Sequence, residues 1–374
     1  MRGLSMCAVM LGGTLVPAAA AEPAHVLKHV VVCKESGRFA GWPANNGIWN
    51  WGDEIVVGFT LGYYKDQGGG HPIDRDRPVV PRQARSLDGG ETWTIETPNY
   101  LDAEGHERAP MDPPGNIDFT QAGFAMMFRM EDSNEGYSRY YYSMDRCHTW
   151  QGPFKLPDFG RKGIFARTDY VIDGKHEMMA FLTAAEDEGG EGWPFAARTA
   201  DGGKTWEFVG WIGKQPAPSG YAIMPSTLRI DDRTLFTVIR CRGDFDGARQ
   251  YWLESYLSPD NGSQWYLLKE PWVNNHGNPP HLVALQDGRW ALTYGYRAPQ
   301  YGIRARISVD RGVTWGEEII LRDDGAEWDL GYPRTVQRAD GRIVTAYYFN
   351  DTDQKERYIA ATIWDAGEGD GTGK

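Results

Sequence analysis

Past its first 21 residues the chain contains no apolar run long enough to cross a bilayer, so no membrane span is expected. Cysteine is scarce. Cys33, Cys147 and Cys241 are odd in number and widely spaced, which excludes a disulfide framework and a CxxC metal pair and leaves room for one bridge at most. His148 beside Cys147 does not make a ligand set. Positive charge is in deficit, with 39 Lys and Arg against 51 Asp and Glu and a net charge of −12. That balance argues against nucleic acid or an anionic membrane as the main partner, although a local arginine cluster can still hold an anionic sugar. No zinc spacing, phosphate loop or nucleotide fingerprint occurs, so neither metal nor cofactor is expected. The acidic run EDEGGEG (Glu186, Asp187, Glu188 and Glu191 within it) reads as a solvated loop, with a calcium site as the lesser alternative.

The chain opens MRGLSMCAVMLGGTLVPAAAAEP: one arginine, an apolar stretch that includes Cys7, and a run of small residues. This is the pattern of an export leader over residues 1–21, cleaved near Ala21–Glu22. It predicts a secreted or periplasmic protein whose residues 22–374 form one domain.

Glycine (46), tryptophan (15) and tyrosine (19) are plentiful, which favours a turn-rich, aromatic-packed all-β chain. One eight-residue phrase recurs five times: SLDGGETW (Ser86–Trp93), SMDRCHTW (Ser143–Trp150), TADGGKTW (Thr199–Trp206), SPDNGSQW (Ser258–Trp265) and SVDRGVTW (Ser308–Trp315). Its aspartates, Asp88, Asp145, Asp201, Asp260 and Asp310, are spaced 57, 56, 59 and 50 residues apart, the signature of repeated supersecondary units. Each phrase lies between β-like runs and reads as a hairpin connection. The carboxylate can accept backbone N–H bonds across the turn, and a glycine two residues on supplies a positive φ. The tryptophan would pack on the sheet. The second copy has lost that glycine, and the fourth has Gln264 in place of threonine.

Two further strands precede each phrase, as in GNPPHLVALQDGRWALTYGY and ARTDYVIDGKHEMMAFLT, and NIDFTQAGFAMMFRM reads the same way. Six four-stranded units result. The last, GYPRTVQRADGRIVTAYYF followed by ERYIAATIW, lacks a fourth strand, while HVLKHVVVC (His25–Cys33) stands unassigned at the N-terminus. The expected architecture is a six-bladed β-propeller whose ring the N-terminal strand closes. A seventh blade would need a unit that the chain does not contain.

The phrase S-x-D-x-G-x-T-W resembles the Asp box, or BNR repeat, and the chain resembles the sialidase-like propeller superfamily along essentially all of its mature length. The resemblance implies an exo-α-sialidase-type glycoside hydrolase acting at the propeller axis, with the boxes at the rim as frame. Sialidases hold the substrate carboxylate with an arginine trio, use a glutamate-assisted tyrosine as nucleophile and an aspartate as acid/base. By that resemblance Arg38 in GRFAGWPAN stands near the first arginine, with three residues between Phe39 and Pro43 loosening the match. Arg240 at the end of LFTVIR matches the second, and the third is Arg297 or Arg304. Tyr332 stands where the nucleophile opens the last blade, and Asp74 and Asp76 fall in the loop of the acid/base.

The departures point elsewhere. The glutamate should lie in YAIMPSTLRI, where Met224, Pro225 and Ser226 offer no carboxylate, and an unassisted phenol with a pKa of about 10 is a poor nucleophile. Asp169 or Glu254 would have to replace it. Arg167, Asp169, Asn116, His276, Asn278, His281, Tyr332 and Arg334 all fall near expected inner-strand starts. Arginine with histidine and tyrosine suits a lyase on uronic acids, where the cation neutralises the carboxylate and His or Tyr moves the C5 proton. The opening WPANNGIWNWGDE resembles propeller lyases and rhamnose–glucuronate-cleaving enzymes, with Asn46 where such an enzyme would carry histidine. Trp42, Trp49 and Trp51 cluster there as candidates for stacking on sugar. Three functions follow: a sialidase-like hydrolase, a uronate-directed lyase or rhamnosidase-type enzyme, and a glycan-binding propeller without catalysis. All three share one partner, an acidic oligosaccharide, polysaccharide or glycoconjugate.

Overall fold

In a computed structural model, residues 23–102, 105–131, 136–186, 190, 192–217, 219–352 and 355–368 are described. The leader-like segment and most of EDEGGEG lie outside them. Six antiparallel sheets stand around one axis. The N-terminal strand β1 (His25–Cys33) belongs to the last of them. Blade one has an inner edge in two pieces, β2 (Arg38–Gly41) and β3 (Ile48–Trp51), parted by a single helical turn, α1 (Pro43–Asn46). Both pair with β4 (Glu54–Tyr63), followed by β5 (Val80–Ser86) and β6 (Thr94–Glu96). Blade two is β7 (Ala125–Met130), β8 (Ser138–Ser143) and β9 (Gln151–Lys155). Blade three again splits its inner edge, into β10 (Ile164–Phe165) and β11 (Tyr170–Ile172), beside β12 (Met178–Ala184), β13 (Trp193–Thr199) and β14 (Glu207–Trp211).

Blade four is β15 (Tyr221–Arg229), β16 (Leu235–Phe245), β17 (Ala248–Ser258) and β18 (Tyr266–Leu267). Blade five is β19 (Pro280–Ala284), β20 (Trp290–Tyr296), β21 (Gly302–Ser308) and β22 (Ile319–Arg322). Blade six is β23 (Gly331–Gln337), β24 (Ile343–Phe349) and β25 (Tyr358–Asp365), and β1 completes it as outermost strand along β25. The ring therefore closes as the sequence predicts.

Blade two departs from the expected four strands: among the described residues it has three. The segment NIDF does not form its inner edge. Asn116 has φ 56°, in the left-handed region, and Asn116 and Ile117 donate to the carbonyls of Asp201 and Gly202 in the third box. The Pro113–Pro114–Gly115 run ahead of it disfavours a ladder position.

The core is divided among the blade interfaces. One cluster joins Trp49 and Val56 of blade one to Met127 and Tyr141 of blade two, and a second joins Phe128 and Tyr140 to Leu182 and Phe195. The remaining interfaces repeat the pattern. The box tryptophans reach these seams: Trp93 packs with the blade-six residues, Trp150 with blade one, Trp206 with Phe128 and Tyr140, Trp265 with Phe181 and Trp315 with Phe236. Each box thus fastens its blade to the preceding one.

Within a box the polar scheme repeats. Asp88 accepts from Thr92 N (2.9 Å) and Thr92 Oγ1 (2.6 Å), and Ser86 Oγ accepts from Gly90 N (2.7 Å). Local desolvation pushes the Asp88 carboxyl up, but the Thr92 and Ser86 hydrogen bonds outweigh it and hold the group at about 2. Two successive residues take positive φ, Gly89 (71°) and Gly90 (91°); in the second copy Arg146 (57°) and Cys147 (63°) do so without glycine. Cys33, Cys147 and Cys241 are free, buried thiols.

Candidate active site

Strand direction decides which residues share the axial mouth. In blades four and five, Arg240 and Arg242, in the second half of β16, and Arg297, one residue beyond β20, line a cavity there. The antiparallel third strands run away from that mouth into the Asp boxes, so the repeated phrase sits at the far strand ends. The depression has two lobes, of about 330 Å³ and about 660 Å³, which share His71 and Tyr332. The smaller is lined by Trp42, Asn45, Asn46, Arg75, Arg129, Glu131 and Arg167 among others, and the larger by Tyr221, Arg240, Arg242, Arg249, Tyr251, His276, Arg297 and Trp328.

Tyr332 reaches the junction because β23 begins with a bulge. Gly331 pairs with Tyr348 and Arg334 with Ala346, which leaves one extra residue on the inner strand. Tyr332 takes φ 50° there, and Asn278 Oδ1 accepts its N–H at 2.8 Å. Asn278 is fully buried and also donates to the Leu330 carbonyl, so it is a clamp for the strand entry rather than a lining residue. Blade four has the same bulge between Ile223 and Ser226, with Met224 at φ 55° in the place of Tyr332.

Arg240 Nη1 donates to Tyr332 Oη at 3.0 Å and lies 3.8 Å from the Met224 sulfur. Tyr332 makes no hydrogen bond to a carboxylate among the described residues. The two candidates for that role are engaged elsewhere: Glu254 accepts from Trp252 Nε1 and Tyr256 Oη, and Asp169 Oδ1 accepts from Thr227 N.

The sequence reading missed His71. Its Nδ1 lies 2.6 Å from Oδ1 of Asp329, whose side chain is 0% exposed. Asp329 also accepts from Tyr348 Oη (2.6 Å) and Arg357 Nε (3.0 Å), with Arg297 Nη2 at 4.0 Å. Burial would raise this carboxyl, but the His71 contact and the Arg297 and Arg357 charges outweigh it and hold the group at about 2. An ionised Asp329 can accept an Nδ1 proton, and in that neutral tautomer Nε2 carries the lone pair. The signal was faint: His71 ends a glycine run (DQGGGHP), and its partner lies 258 residues away.

The predicted residues divide into groups. Tyr332, Arg240, Arg297, His276, Arg167 and Asn46 come together at the two lobes. Arg297 is held rigidly, donating to the carbonyls of Leu330 and Gly277 and to Tyr348 Oη. Asn46 Oδ1 accepts from Arg129, and Asn45 Oδ1 from Arg167. Arg304 is turned outward to the Arg322 and Gln300 carbonyls, which leaves Arg297 at the mouth.

Arg334 is buried, His281 is half-buried, and neither lines a lobe. Arg334 donates to the carbonyls of Ala44 and Thr168 and so braces the segments that carry Asn45, Asn46 and Arg167. Burial lowers its guanidinium to about 10, while neighbouring Asp169 opposes. Burial raises Asp169 to about 7, against the Arg334 charge. His281 Nδ1 accepts from Thr335 N, and burial with the Arg334 charge holds that imidazole well below its ordinary value.

Arg38, Asp74 and Asp76 do not line the lobes. Arg38 donates to the Gly62 carbonyl and stacks on Tyr63 at 4.2 Å. Asp74 and Asp76 share Lys65, at 3.1 and 2.9 Å, while His71 and Arg75 of the same loop face the mouth. Desolvation pushes the Asp74 carboxyl up, but Lys65 and the Asp76 amide more than offset it, which keeps it below its ordinary value. Of the three tryptophans, Trp42 lines the smaller lobe with its ring 5.0 Å from His71, whereas Trp49 is buried against Trp150.

Ring closure, Asp boxes and an axial mouth define a six-bladed propeller of the sialidase type. The BNR repeat-like domain matches residues 124–345, and the chain belongs to that family. A Dyadobacter fermentans protein of unknown function is similar at TM-score 0.71 and 22% identity, over 91% of this chain and 99% of that one. A Penicillium chrysogenum α-L-arabinanase is similar at 0.63 and 14%, over 91% and 99%. A Trypanosoma rangeli sialidase is similar at 0.55 and 11%, over 89% of this chain and 55% of that one. These are likenesses of fold. No curated protein matches the chain.

Proposed function

We propose that the chain is a glycan-active enzyme for acidic sugars, and specifically a uronate-directed lyase working at the junction of the two lobes. The observation that carries this reading is the His71–Asp329 pair, which opens onto a mouth where Tyr332 hydrogen-bonds to Arg240 and to no carboxylate among the described residues. In an elimination, Arg240 and the field of Arg297 neutralise the sugar carboxylate and acidify C5–H. His71 Nε2 takes that proton, the C4–O bond breaks, and its place is taken by a C4–C5 double bond. Because Arg240 is the donor to Tyr332 Oη, the phenol keeps its own proton for the leaving oxygen. Trp42 offers a face for an apolar sugar surface.

A retaining hydrolase is the second reading, supported by Glu131 in the smaller lobe and by the fold shared with an arabinanase and a sialidase. It would use Glu131 as the acid/base and Tyr332 as nucleophile. The leader-like first residues support export, which N-terminal sequencing of the protein from its native host would check.

The test is product analysis on uronic-acid polysaccharides, an arabinan and a sialoside, with His71→Ala and Tyr332→Phe beside the unchanged protein. The lyase reading expects ultraviolet absorbance from an unsaturated uronate, lost in both variants. New reducing ends without that absorbance would move the assignment to hydrolysis, and free sialic acid would restore the exo-α-sialidase expectation.

A further inference from the structure

The larger lobe holds more cationic surface than one carboxylate needs. Its wall is a hairpin that outgrows its blade. The last residue pair between β15 and β16 is Tyr221 with Arg242, but β16 and β17 continue through Gly243–Gln250, Asp244–Arg249 and Phe245–Ala248. Arg240 and Arg242 lie two residues apart on one face of β16, so their side chains point the same way, about 7 Å apart along the strand. Both guanidinium groups lie over Tyr221, at 5.2 and 4.3 Å from its ring centre.

Their surroundings differ. Arg240 serves Tyr332 at the junction. The Arg242 side chain makes no ion pair or hydrogen bond among the described residues, and its Nε is buried without a partner. The neighbouring carboxylate, Asp244, is already bonded to Arg249 at 2.6 Å. A buried guanidinium edge without an acceptor is costly, and an anion from outside supplies what the fold does not. The size of the mouth agrees. Each lobe alone falls in the range of roughly 300–1,000 Å³ that encloses a drug-sized ligand, so one sugar at the junction leaves both lobes largely unfilled.

We infer that Arg242 is a specificity residue for a second acidic group, a carboxylate or a sulfate, on the sugar next to the reacting one. The substrate is then a polyanionic chain lying across the junction, not a singly charged terminal sugar. This rests on the reading of the mouth as an acidic-sugar site.

Calorimetry tests it with a uronic acid monosaccharide, unbranched galacturonate, glucuronate and mannuronate trimers, a sulfated galactan trimer and a neutral arabinan trimer. At least one charged trimer should bind tenfold or more tighter than the monomer. Arg242→Gln should erase most of that advantage while weakening the monomer far less, and Arg242→Lys should restore part of it. Preference for the sulfated trimer would identify the second group as sulfate, and preference for a uronate trimer as carboxylate; either supports the inference. Equal weakening of monomer and trimer in Arg242→Gln, or a neutral trimer that binds as tightly as the charged ones, overturns the inference alone. If no charged sugar binds, the reading of the mouth falls with it.

Discussion

Replacing Asp329 by asparagine should remove both a stabilising charge and the orientation of His71. The carboxylate is fully buried between Tyr348 Oη, Arg357 and His71, and is held at about 2 instead of its ordinary 3.8. That difference of roughly two units, at about 1.36 kcal/mol each, corresponds to ~2.5 kcal/mol at neutral pH. Because the folded-state value is depressed, this stability is fully present above about pH 4 and is lost as pH falls through about 2. The same relation leaves about 1.3 kcal/mol at pH 3 and about 0.4 at pH 2. Arg357, 1% exposed at its side chain, keeps Glu327 as partner, so the variant should fold. With an unfolding entropy of ~2.1 cal/mol/K per residue, the loss shifts Tm down by about 3–4 °C. Urea unfolding followed by tryptophan fluorescence at neutral pH and about pH 3 would read the gap between the two proteins. A gap of the same size at both values would refute the charge argument. Turnover is the second readout: loss of the charge that fixes the His71 tautomer should slow any His71-dependent step by about 10²–10⁴. Full turnover in a folded Asp329→Asn protein would remove His71 from the chemistry.

Asp169 should act on stability in the opposite direction. Burial raises it to about 7, so its contribution is present below about pH 4 and lost as pH rises through about 7; Asp169→Asn should be more stable than the unchanged protein at pH 8, by up to about 4 kcal/mol, and the urea midpoint at pH 5 and pH 8 checks this. Asp310→Ala removes hydrogen bonds to Thr314 N and Thr314 Oγ1 and should cost about 1–2 kcal/mol in urea unfolding, with turnover unchanged because the box is remote from the mouth. Gly331→Ala combines φ 104° with a Cβ that would stand 2.4 Å from Asn278 Nδ2; it should destabilise by more than about 2 kcal/mol in the same assay. Met224→Glu would put a carboxylate beside Arg240 and should weaken acidic-sugar binding at least tenfold, whereas Met224→Gln should not; equal affinities by calorimetry would remove Arg240 from anion binding.

The frame was legible because it is written locally. Each Asp box closes its carboxylate and serine or threonine hydrogen bonds within eight residues, and the closing strand was visible as a β pattern with no hairpin partner nearby. The site is assembled from distant segments, and there the reading thinned. Tyr332 and Arg297 were legible because they stand at strand ends, which regular blades bring to one mouth; Arg240 reaches the same mouth from within β16, which runs on to Phe245. Asp74 and Asp76 belong to the right loop, but Lys65 takes their carboxylates, and no periodicity reports such a pairing. Arg334 and His281 fall on inner strands like site residues, yet Arg334 donates to the carbonyls of Ala44 and Thr168, and His281 accepts from Thr335 N. His71 escaped notice because its meaning depends on Asp329, 258 residues away, and nothing in DQGGGHP by itself distinguishes a cavity histidine from a loop residue.

Blades four and six show how little of the fold is needed to change the chemistry. Both inner strands open with the same one-residue bulge, and each turns one side chain, Met224 or Tyr332, toward Arg240 through a positive φ. A carboxylate in the Met224 place would accept the phenol's hydrogen bond and make Tyr332 a nucleophile. A thioether cannot, and the hydrogen bond that Tyr332 does receive comes from a cation. A cationic donor stabilises a phenolate once it forms, and it leaves the neutral phenol its proton to give. In the lyase reading, the same bulge that would present a nucleophile presents a proton donor, and a base must come from elsewhere. In the proposed elimination that base is His71 of blade one, on the loop after β4, whose ring is paired with Asp329 of blade six, two residues before β23 begins. The proposed base and acid, His71 and Tyr332, stand on the two sides of one blade seam, so the packing that closes the ring also sets the distance between them.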